Sequence, residues 1–508
     1  MFLLFALYAV IITILILAAI IYFTLIHKQR QLYNAFRSQN IPGEPFVPIF
    51  GQLKQIRQYQ NADKSMQWYL DLQAKHGNLY IISFGPLVRL IIIEPEYASD
   101  VLKKYTKFYV KPAVFRNVFK DIMGENNLLV SAGENHNRAR KMLNPAFHFV
   151  NLQSMISIMT QQTACAIDKW LNMNENNIID LQVELNSLTL SVIASSAFGQ
   201  AFETNEHAKN VITNSLLAVL DAILYRTIQI PVSQIPFLDK LPILKKDVIR
   251  QGSKEISAVV EQMINDRKAG ISHSLCDGND LLDLLLTAQD QDGNGFSDQQ
   301  VRDEAITFVL AGHETTGNLL VWCMYLLMAH PDVYRDCYEE IERVLQGKIP
   351  VYSQLTDLHI LDAVIHESLR LYPPAPVIVR ECVQEHSIGP DEKRIRVPVG
   401  ATILLNIFAL HRSNVHWKDP SQFNYKRWMR NSDGLKPKLA HPFCYLPFSA
   451  GNRNCIGQNF AMLESKVILA MLIQRLHFEL VPGQKVAPQL QITLRTKYGL
   501  YAKVNRIL

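Results

Sequence analysis

A short stretch near the C-terminus places one cysteine between two glycines and beside an arginine. It runs from Phe448 to Gly457 and reads Phe-Ser-Ala-Gly-Asn-Arg-Asn-Cys-Ile-Gly, with Cys455 as its thiol. The apolar run after it predicts a helix, whose N-terminus favours the thiolate form that binds metals. Glycines allow sharp turns beside a flat ligand, and an arginine suits a carboxylate. We interpret Cys455 as an axial haem ligand; a buried structural cysteine is the alternative.

A second stretch, 311–316, places a glycine, an acid and two threonines inside a long apolar helical pattern of about 298 to 330. Such residues are locally unfavourable in a buried helix, and exceptions of this kind are expected at functional sites. Glu314 and Thr315 are an acid and an alcohol that could move protons through water. A kinked helix with a polar patch is the alternative. We interpret His313 as structural.

Glu367 and Arg370 are an acid and a base three positions apart, on one face of a predicted helix. Prolines at 373 and 374 end that helix. An exposed pair of this kind contributes only about 0.2–0.5 kcal/mol.

Together these three stretches resemble the cytochrome P450 family. The pattern Phe-x-x-Gly-x-Arg-x-Cys-x-Gly is similar to its haem-binding signature at every fixed position, which are filled here by Phe448, Gly451, Arg453, Cys455 and Gly457. Residues 311–316 are similar to its oxygen-activation motif, and the Glu-x-x-Arg segment to its core-stabilising helix. The resemblance implies that Glu314 and Thr315 are catalytic, and that Gly312 opens room beside the haem.

The resemblance also implies a buried network of Glu367, Arg370 and Arg427. Tyr425 and Lys426 stand where the family usually has a proline and an acid, but the arginine is kept. We expect the network to form, and breaking it to cost about 3–5 kcal/mol.

Two further arginines are candidates for binding the haem propionates. Arg140 matches the arginine of the family's Trp-x-x-x-Arg helix, in which His136 replaces the tryptophan. Either ring can donate an N–H to a carboxylate. Arg380 lies six residues after Pro374. Solvated surface arginines are the alternative for both.

The implied activity is insertion of one oxygen atom from O2 into a lipophilic substrate, such as a fatty acid, steroid or xenobiotic. Substrate contacts are expected from 108–127, 308–316, 375–379 and the turn near Thr493, which are largely apolar. A glutamate that bonds haem covalently in one related family is replaced here by Ala311. We therefore expect non-covalent haem b.

Electrons must come from another protein, because the chain has no G-x-G-x-x-G or P-loop pattern. The resemblance implies an NADPH-cytochrome reductase, with cytochrome b5 as a second candidate donor. Basic residues are expected on the thiolate side of the haem, where they could dock an acidic partner or form a solvated face. They are Arg138, Lys141, Lys426, Arg430, Lys436 and Lys438.

The composition fits a large catalytic body. The chain has 508 residues, 48% hydrophobic and 19% charged, with a formal charge of +5, which does not suggest a nucleic-acid partner. Seven cysteines without a C-x-x-C pair argue against a disulfide framework or a zinc site.

Residues 1–27 are predicted to form a transmembrane anchor, because no charged residue occurs from Phe2 to Ile26. Basic residues follow, which places the rest in the cytosol. A buried core helix is the alternative. Residues 28–51 form a basic and proline-rich linker, and 52–508 the haem-thiolate domain. The resemblance implies the endoplasmic reticulum membrane.

The fold is predicted to be mainly α with small β-sheets, in the cytochrome P450 fold. Helical patterns cover 96–106, 138–163, 180–197 and 252–267, and 79–93 predicts a β-hairpin. The segment 230–246 is either a membrane-dipping or a packed loop. Residues 290–301 open like a calcium loop, but Val301 stands where the loop needs a bidentate glutamate. We predict a solvated turn there.

Two rival functions are a haem-thiolate isomerase or dehydratase acting on lipid peroxides, and a non-catalytic haem sensor or lipid-binding membrane protein. The intact pair of Glu314 and Thr315 argues against the isomerase.

Overall fold

The computed structural model describes residues 2–172, 178–228, 245–276, 278–435 and 437–507. It is mainly helical with small sheets, as predicted. The longer α-helices are Phe2–Ile21, Lys28–Arg37, Gln67–His76, Ala113–Met123, Gly133–Leu143, Ile156–Leu171, Leu181–Phe198, Leu216–Ile228, Lys246–Lys268, Asp298–Ala329, Pro331–Leu345, His359–Leu371 and Gln458–Arg475. The shorter ones are Leu53–Asn61, Pro95–Ser99, Phe149–Ser154, Gln200–Glu203, Glu206–Asn210, Leu281–Thr287, Tyr352–Thr356 and Ile407–Leu410. The predicted loop at 230–246 falls almost wholly on 229–244, outside the described residues.

The strands are short and most pair with distant parts of the chain. They are β1 Leu79–Phe84, β2 Leu87–Ile92, β3 Tyr109–Val110, β4 Ile178–Asp180, β5 Val377–Cys382, β6 His386–Ile388, β7 Ile395–Val397, β8 Thr402–Asn406, β9 Leu476–Leu480, β10 Pro488–Leu490, β11 Leu494–Thr496 and β12 Tyr501–Arg506. One sheet has the order β1-β2-β8-β5-β3, another β4-β12-β9, and β6-β7 and β10-β11 form pairs. The predicted hairpin is β1 and β2, which pair in antiparallel register.

The helical pattern at 138–163 is interrupted in the structure. Gly133–Leu143 is followed by the 3₁₀ turn Asn144–Phe147, and helix resumes at Phe149–Ser154 and Ile156–Leu171. Pro145 explains the interruption, because it has no N–H to donate and its ring clashes with the preceding turn.

The N-terminal helix is long and apolar enough to cross a membrane. The helical run Leu4–Arg37 has a mean hydropathy of 3.0 in its most apolar window, and none of that window is buried against the rest of the chain. Lys28–Arg37 differs from it, because Leu32 and Phe36 are buried in the protein.

The proline-rich segment packs on the β-hairpin instead of standing free. Gly43 pairs with Ile81 of β1, and Gly51 pairs with Phe84. A Cβ at Gly43 would lie only 2.4 Å from the Ile81 carbonyl oxygen. The close approach therefore requires glycine here.

The central helix, Asp298–Ala329, is buried along most of its length, as predicted. It begins with the expected capping box, in which Ser297 and Gln300 bond each other's backbone N–H groups. It packs along Leu181–Phe198 and against Gln458–Arg475, the helix that follows Cys455. The central helix therefore joins the two halves of the predicted site.

The buried charge network forms around Glu367, which is fully buried together with Arg370. The Arg370 guanidinium donates to both Glu367 oxygens at 2.8 Å. Arg427 Nε donates to Glu367 at 3.2 Å and Trp428 Nε1 at 2.9 Å. The Asn424 N–H donates as well. The geometry agrees with the predicted trio and adds Trp428, which sequence reasoning had not assigned.

The loop before Cys455 packs tightly on the π-helical turn Asp100–Lys104. Gly451 has a φ of 70°, and a Cβ there would lie 1.9 Å from the Leu102 carbonyl oxygen. Both the backbone angle and the contact exclude a side chain at this position.

Glu367→Gln should lower the free energy of unfolding by about 3–5 kcal/mol, because it leaves the buried Arg370 without a carboxylate. Urea unfolding followed by tryptophan fluorescence measures the change. Glu339→Gln is the matched control, since Glu339 pairs with Arg335 on the surface at 3.9 Å, and it should change the value by less than about 1 kcal/mol. Equal effects would contradict the buried network.

Gly451→Ala should destabilise the protein more than Gly483→Ala. Both positions have positive φ, which costs an alanine about 1–2 kcal/mol. Only Gly451 also meets a backbone oxygen, which adds about 1–3 kcal/mol of overlap; nothing lies within 4 Å of a Cβ at Gly483. Melting temperatures of the two variants give the comparison, and equal shifts would show that the Leu102 contact is not tight.

Candidate active site

Cys455 lies in a loop whose backbone is fixed by unusual dihedral angles. Ser449 and Gly451 both have positive φ, at 61° and 70°. The Cys455 N–H donates to the Phe448 carbonyl oxygen at 2.8 Å, which closes the loop on itself. The signature residues thus form one compact turn.

Cys455 is accessible, and many protein atoms surround its thiol. Desolvation by these atoms raises the pKa of the thiol, while the Gly457 N–H, Arg140 and Lys111 lower it only in part. This net direction is opposite to the one expected from the helix N-terminus, because desolvation outweighs the nearby charges. A Cβ at Gly457 would lie 3.9 Å from the Cys455 Sγ. A metal ion beside the thiol would favour its thiolate form.

Arg140 fastens its helix to the Cys455 loop. Its guanidinium donates to the backbone oxygen and to Oδ1 of Asn454, both at 2.7 Å, and its Nε donates to Asn144 at 2.9 Å. These bonds hold the residue that immediately precedes the thiol. Propionate binding by Arg140 stays a prediction, and the contacts seen here give it a structural role as well.

Three cations from separate segments lie close to one another: Arg380 is buried, and Lys111 and Arg453 are half-buried. Lys111 of this group lies near the thiol. Burial, Arg380 and Arg453 lower the pKa of Lys111 well below its usual range. Burial also lowers the pKa of Arg380 and of Arg453 to about 10. Arg453 Nη1 is buried without a hydrogen-bond partner. Within the described part of the chain none of the three forms an ion pair, so this cation cluster suits an anionic ligand with two carboxylates, as in haem b.

His136 lies beside the cation cluster and is buried. Burial, Arg453 and Lys111 lower its pKa to about 4, so the ring is neutral at physiological pH. A neutral imidazole still has one N–H to donate. The replacement of tryptophan by His136 therefore keeps a donor at this place.

One short face of the central helix is accessible although its neighbours are buried. Ala311 is exposed, and Glu314 and Thr315 are half-buried, whereas 303–310 and 316–324 are buried throughout. The Thr315 hydroxyl donates to the Ala311 carbonyl oxygen at 2.8 Å. This accessible face therefore carries the predicted acid and alcohol together.

Glu314 is held by a residue from the C-terminal turn. The Thr493 hydroxyl donates to Glu314 Oε1 at 2.7 Å. Burial raises the pKa of Glu314, and the Thr493 bond and Arg495 oppose that shift. The acid is thus attached to the turn that was expected to contact substrate.

Gly312 does not open the space that was expected of it. A Cβ there would lie 2.9 Å from Ile193 Cγ1 in Leu181–Phe198. Its function in packing is to let the two helices approach closely, since any larger residue would push them apart. The accessible position on the central helix is Ala311 instead. His313 is buried, in agreement with the structural role expected for it.

Apolar side chains line the segments expected to contact substrate. The half-buried or exposed ones among them include Phe108, Val110, Ala113, Val114, Phe115, Val118, Ala311, Ala375, Val377, Ile378, Val379 and Ile492. Such a lining selects lipophilic molecules without fixing their shape.

Arg138 does not belong to a free docking face. Its Nε donates to Asp290 Oδ2 at 2.6 Å, and its Nη2 donates to the backbone oxygens of Asn294 and Gly295 at 3.1 Å. Its guanidinium thus binds the oxygens of the calcium-like turn. Lys141, Lys426, Arg430 and Lys438 are exposed, and Lys436 lies outside the described residues.

Sequence reasoning missed Lys111 and the bond between Thr493 and Glu314. Lys111 belongs to no motif, and its only local signal is a basic residue before a proline. Thr493 was assigned to the substrate turn, but nothing in the sequence connects it to an acid 179 positions away.

Comparison with known proteins shows the family to which the chain belongs. The family model for cytochrome P450 matches residues 41–503. Leukotriene-B4 omega-hydroxylase 3 of Mus musculus is 30% identical, over 94% of this chain and 92% of that protein. Cytochrome P450 4B1 of Rattus norvegicus is 30% identical, over 96% and 94%. Cytochrome P450 CYP72A219 of Panax ginseng is 29% identical, over 95% and 94%.

The solved heme domain of cytochrome P450DA has the same fold, with a TM-score of 0.76 at 23% identity over 92% of this chain and 98% of that one. The chain therefore belongs to the cytochrome P450 family of haem-thiolate monooxygenases, and as in the family it binds haem b non-covalently through a cysteine thiolate.

Proposed function

We propose that Cys455 is the thiolate ligand of the haem iron in this monooxygenase. The cluster of Lys111, Arg380 and Arg453 is the observation that supports the assignment, because Lys111 lies near the thiol and none of the three forms an ion pair in the described part of the chain. These cations bind the two haem carboxylates, which compensate most of their charge. The other six cysteines lie outside this turn, and four of them, Cys323, Cys337, Cys382 and Cys444, are buried, whereas Cys455 is exposed.

The surrounding residues shape and hold this binding site. Phe448, Gly451 and Gly457 form the turn that presents the thiol, and Arg140 fixes the loop through Asn454. His136 donates its N–H to a carboxylate at the edge of the site. When bound, the haem supplies the iron that activates O2.

Glu314 and Thr315 move the protons that the reaction consumes. Both are partly accessible on the same short face of the central helix. The Thr315 hydroxyl donates to the Ala311 carbonyl oxygen, so its oxygen can accept a hydrogen bond from a water and hold that water in place. Glu314 in its protonated form can pass a proton to such a water and regain one from solvent.

The substrate is a lipophilic molecule, and fatty acids, steroids and xenobiotics are the classes to compare. One relative is named as an omega-hydroxylase of leukotriene B4, so a fatty-acid chain is the first to test. Purified enzyme with reductase and NADPH should consume oxygen and yield hydroxylated product. Product from a lipid peroxide without reductase would support the isomerase or dehydratase instead. If neither product forms, the haem sensor or lipid-binding membrane protein is supported.

The enzyme is anchored in the endoplasmic reticulum membrane by its apolar N-terminal helix, with the catalytic body in the cytosol. NADPH-cytochrome reductase supplies the electrons, with cytochrome b5 as a second donor. The exposed cations Lys141, Lys426, Arg430 and Lys438 suit an acidic partner surface.

Cys455→Ala should abolish the red-shifted Soret band of the reduced carbon monoxide complex, because no thiolate then binds the iron. The visible spectrum of the purified protein measures this. Cys165→Ala removes an exposed cysteine and should leave the band unchanged. A retained band in Cys455→Ala would show that another residue is the ligand.

Thr315→Ala should lower the product formed per NADPH oxidised by roughly 10²-fold, the contribution expected of a group that transfers protons. Thr307→Ala is the matched control, because Thr307 makes the same bond to the carbonyl four residues earlier at 2.7 Å but is buried. Similar losses in the two variants would indicate a general effect on the helix.

A further inference from the structure

A chain of buried side chains connects Glu314 to the backbone of a distant strand. The Gln182 Nε2 donates to Asn318 Oδ1 at 2.6 Å, and the Asn318 Nδ2 donates to Thr493 Oγ1 at 2.8 Å. The Thr493 hydroxyl then donates to Glu314 Oε1 at 2.7 Å. At the other end, the Thr496 N–H donates to Gln182 Oε1 at 3.1 Å. Gln182, Asn318, Thr493 and Thr496 are all buried.

The direction of every bond in this chain follows from its backbone end. A backbone N–H can only donate, so the Thr496 N–H requires the oxygen of the Gln182 amide to face it. The Gln182 nitrogen must then face Asn318, whose own nitrogen must face Thr493. The Thr493 oxygen accepts from Asn318, and its proton goes to Glu314, because an ionised carboxylate can only accept.

The chain joins three separate parts of the fold. Gln182 lies at the start of Leu181–Phe198, Asn318 lies one turn after Glu314 on the central helix, and Thr493 and Thr496 flank and end β11. Residues one turn apart on a helix share a face, so Asn318 is well placed to direct the partner of Glu314. All four residues lie outside the motif at 311–316.

We propose that Gln182 and Asn318 are positioning residues that direct the Thr493 proton onto Glu314 and thereby hold this acid as an oriented carboxylate. This inference rests on the proposed role of Glu314 in proton movement. The acid then accepts protons from water on its other oxygen, while the bonded oxygen stays fixed toward the C-terminal turn. Since that turn is expected to contact substrate, the chain also connects substrate position to proton supply.

Other charges act on Glu314 from the elements packed around it. Arg495 on β11 favours its carboxylate, whereas Asp221 in Leu216–Ile228 and burial oppose it. These influences remain in a variant that removes only the Thr493 hydroxyl. Loss of a hydrogen bond to the charged form raises the pKa of an acid. When the pH is lowered, Glu314 of such a variant therefore becomes protonated at a higher pH than in the wild type.

The test is the pH profile of product formed per NADPH oxidised by the holoenzyme with its reductase. Thr493→Val should move the acid limb upward by about one pH unit, the size expected for one hydrogen bond to a charged group. Thr493→Ser keeps the hydroxyl and should restore the wild-type limb. Asn318→Asp turns the donor into an acceptor that competes for the Thr493 proton, and should move the limb in the same direction as Thr493→Val.

The controls separate this inference from the proposed function. Thr163→Val removes another buried hydroxyl, which donates to the Met159 carbonyl oxygen, and should leave the acid limb in place. Glu314→Gln should remove the acid limb altogether; if it does not, the proposed role of Glu314 fails. If Glu314→Gln removes the limb but Thr493→Val and Asn318→Asp leave it unshifted, only the positioning chain is wrong. If the Thr493→Val variant does not bind haem, the pH profile of the Asn318→Asp variant tests the positioning chain.

Discussion

The positive charge clustered at Lys111, Arg380 and Arg453 is the constraint on which the catalytic body depends. Lys111, Arg380 and Arg453 come from segments far apart in sequence, and burial disfavours the charge of each one. Bringing these like charges together on folding costs free energy, and binding of an anionic ligand offsets that cost. A ligand that binds only the folded state stabilises it in proportion to its concentration and affinity. Cofactor binding and folding are therefore coupled through electrostatics as well as through the iron bond.

The Glu367 network differs from the cation cluster, because its charges are compensated by protein groups alone. The Arg370 guanidinium also donates to the backbone oxygens of His411, Pro420 and Gln422, so one side chain holds several turns of the segment that leads to the Cys455 loop. Buried ion pairs contribute little net stability compared with apolar residues, but they penalise alternative arrangements strongly. The network thus fixes where the loop begins, and the cation cluster depends on that position.

The sequence was sufficient for features that lie within one local motif. The Cys455 loop, the Glu367 pair, the long central helix and the β-hairpin were all predictable from spacing and periodicity. Features that depend on distant partners were not. Thr493 meets its acid only after the chain returns from the far side of the domain, and Lys111 has no motif of its own. Gly312 was assigned to the correct helix but to the wrong face, because a motif does not say which neighbour a small residue accommodates.

The attachment of the proline-rich segment to β1 has a mechanical consequence. Gly43 and Gly51 lie directly against the strand, and the side chain of Gln29 accepts a bond from the Val88 N–H at 2.9 Å. The chain between the apolar helix and the catalytic body is therefore attached to β1 and β2 at several points. The packing of residues 29–51 on this hairpin thus sets where the apolar helix leaves the catalytic body.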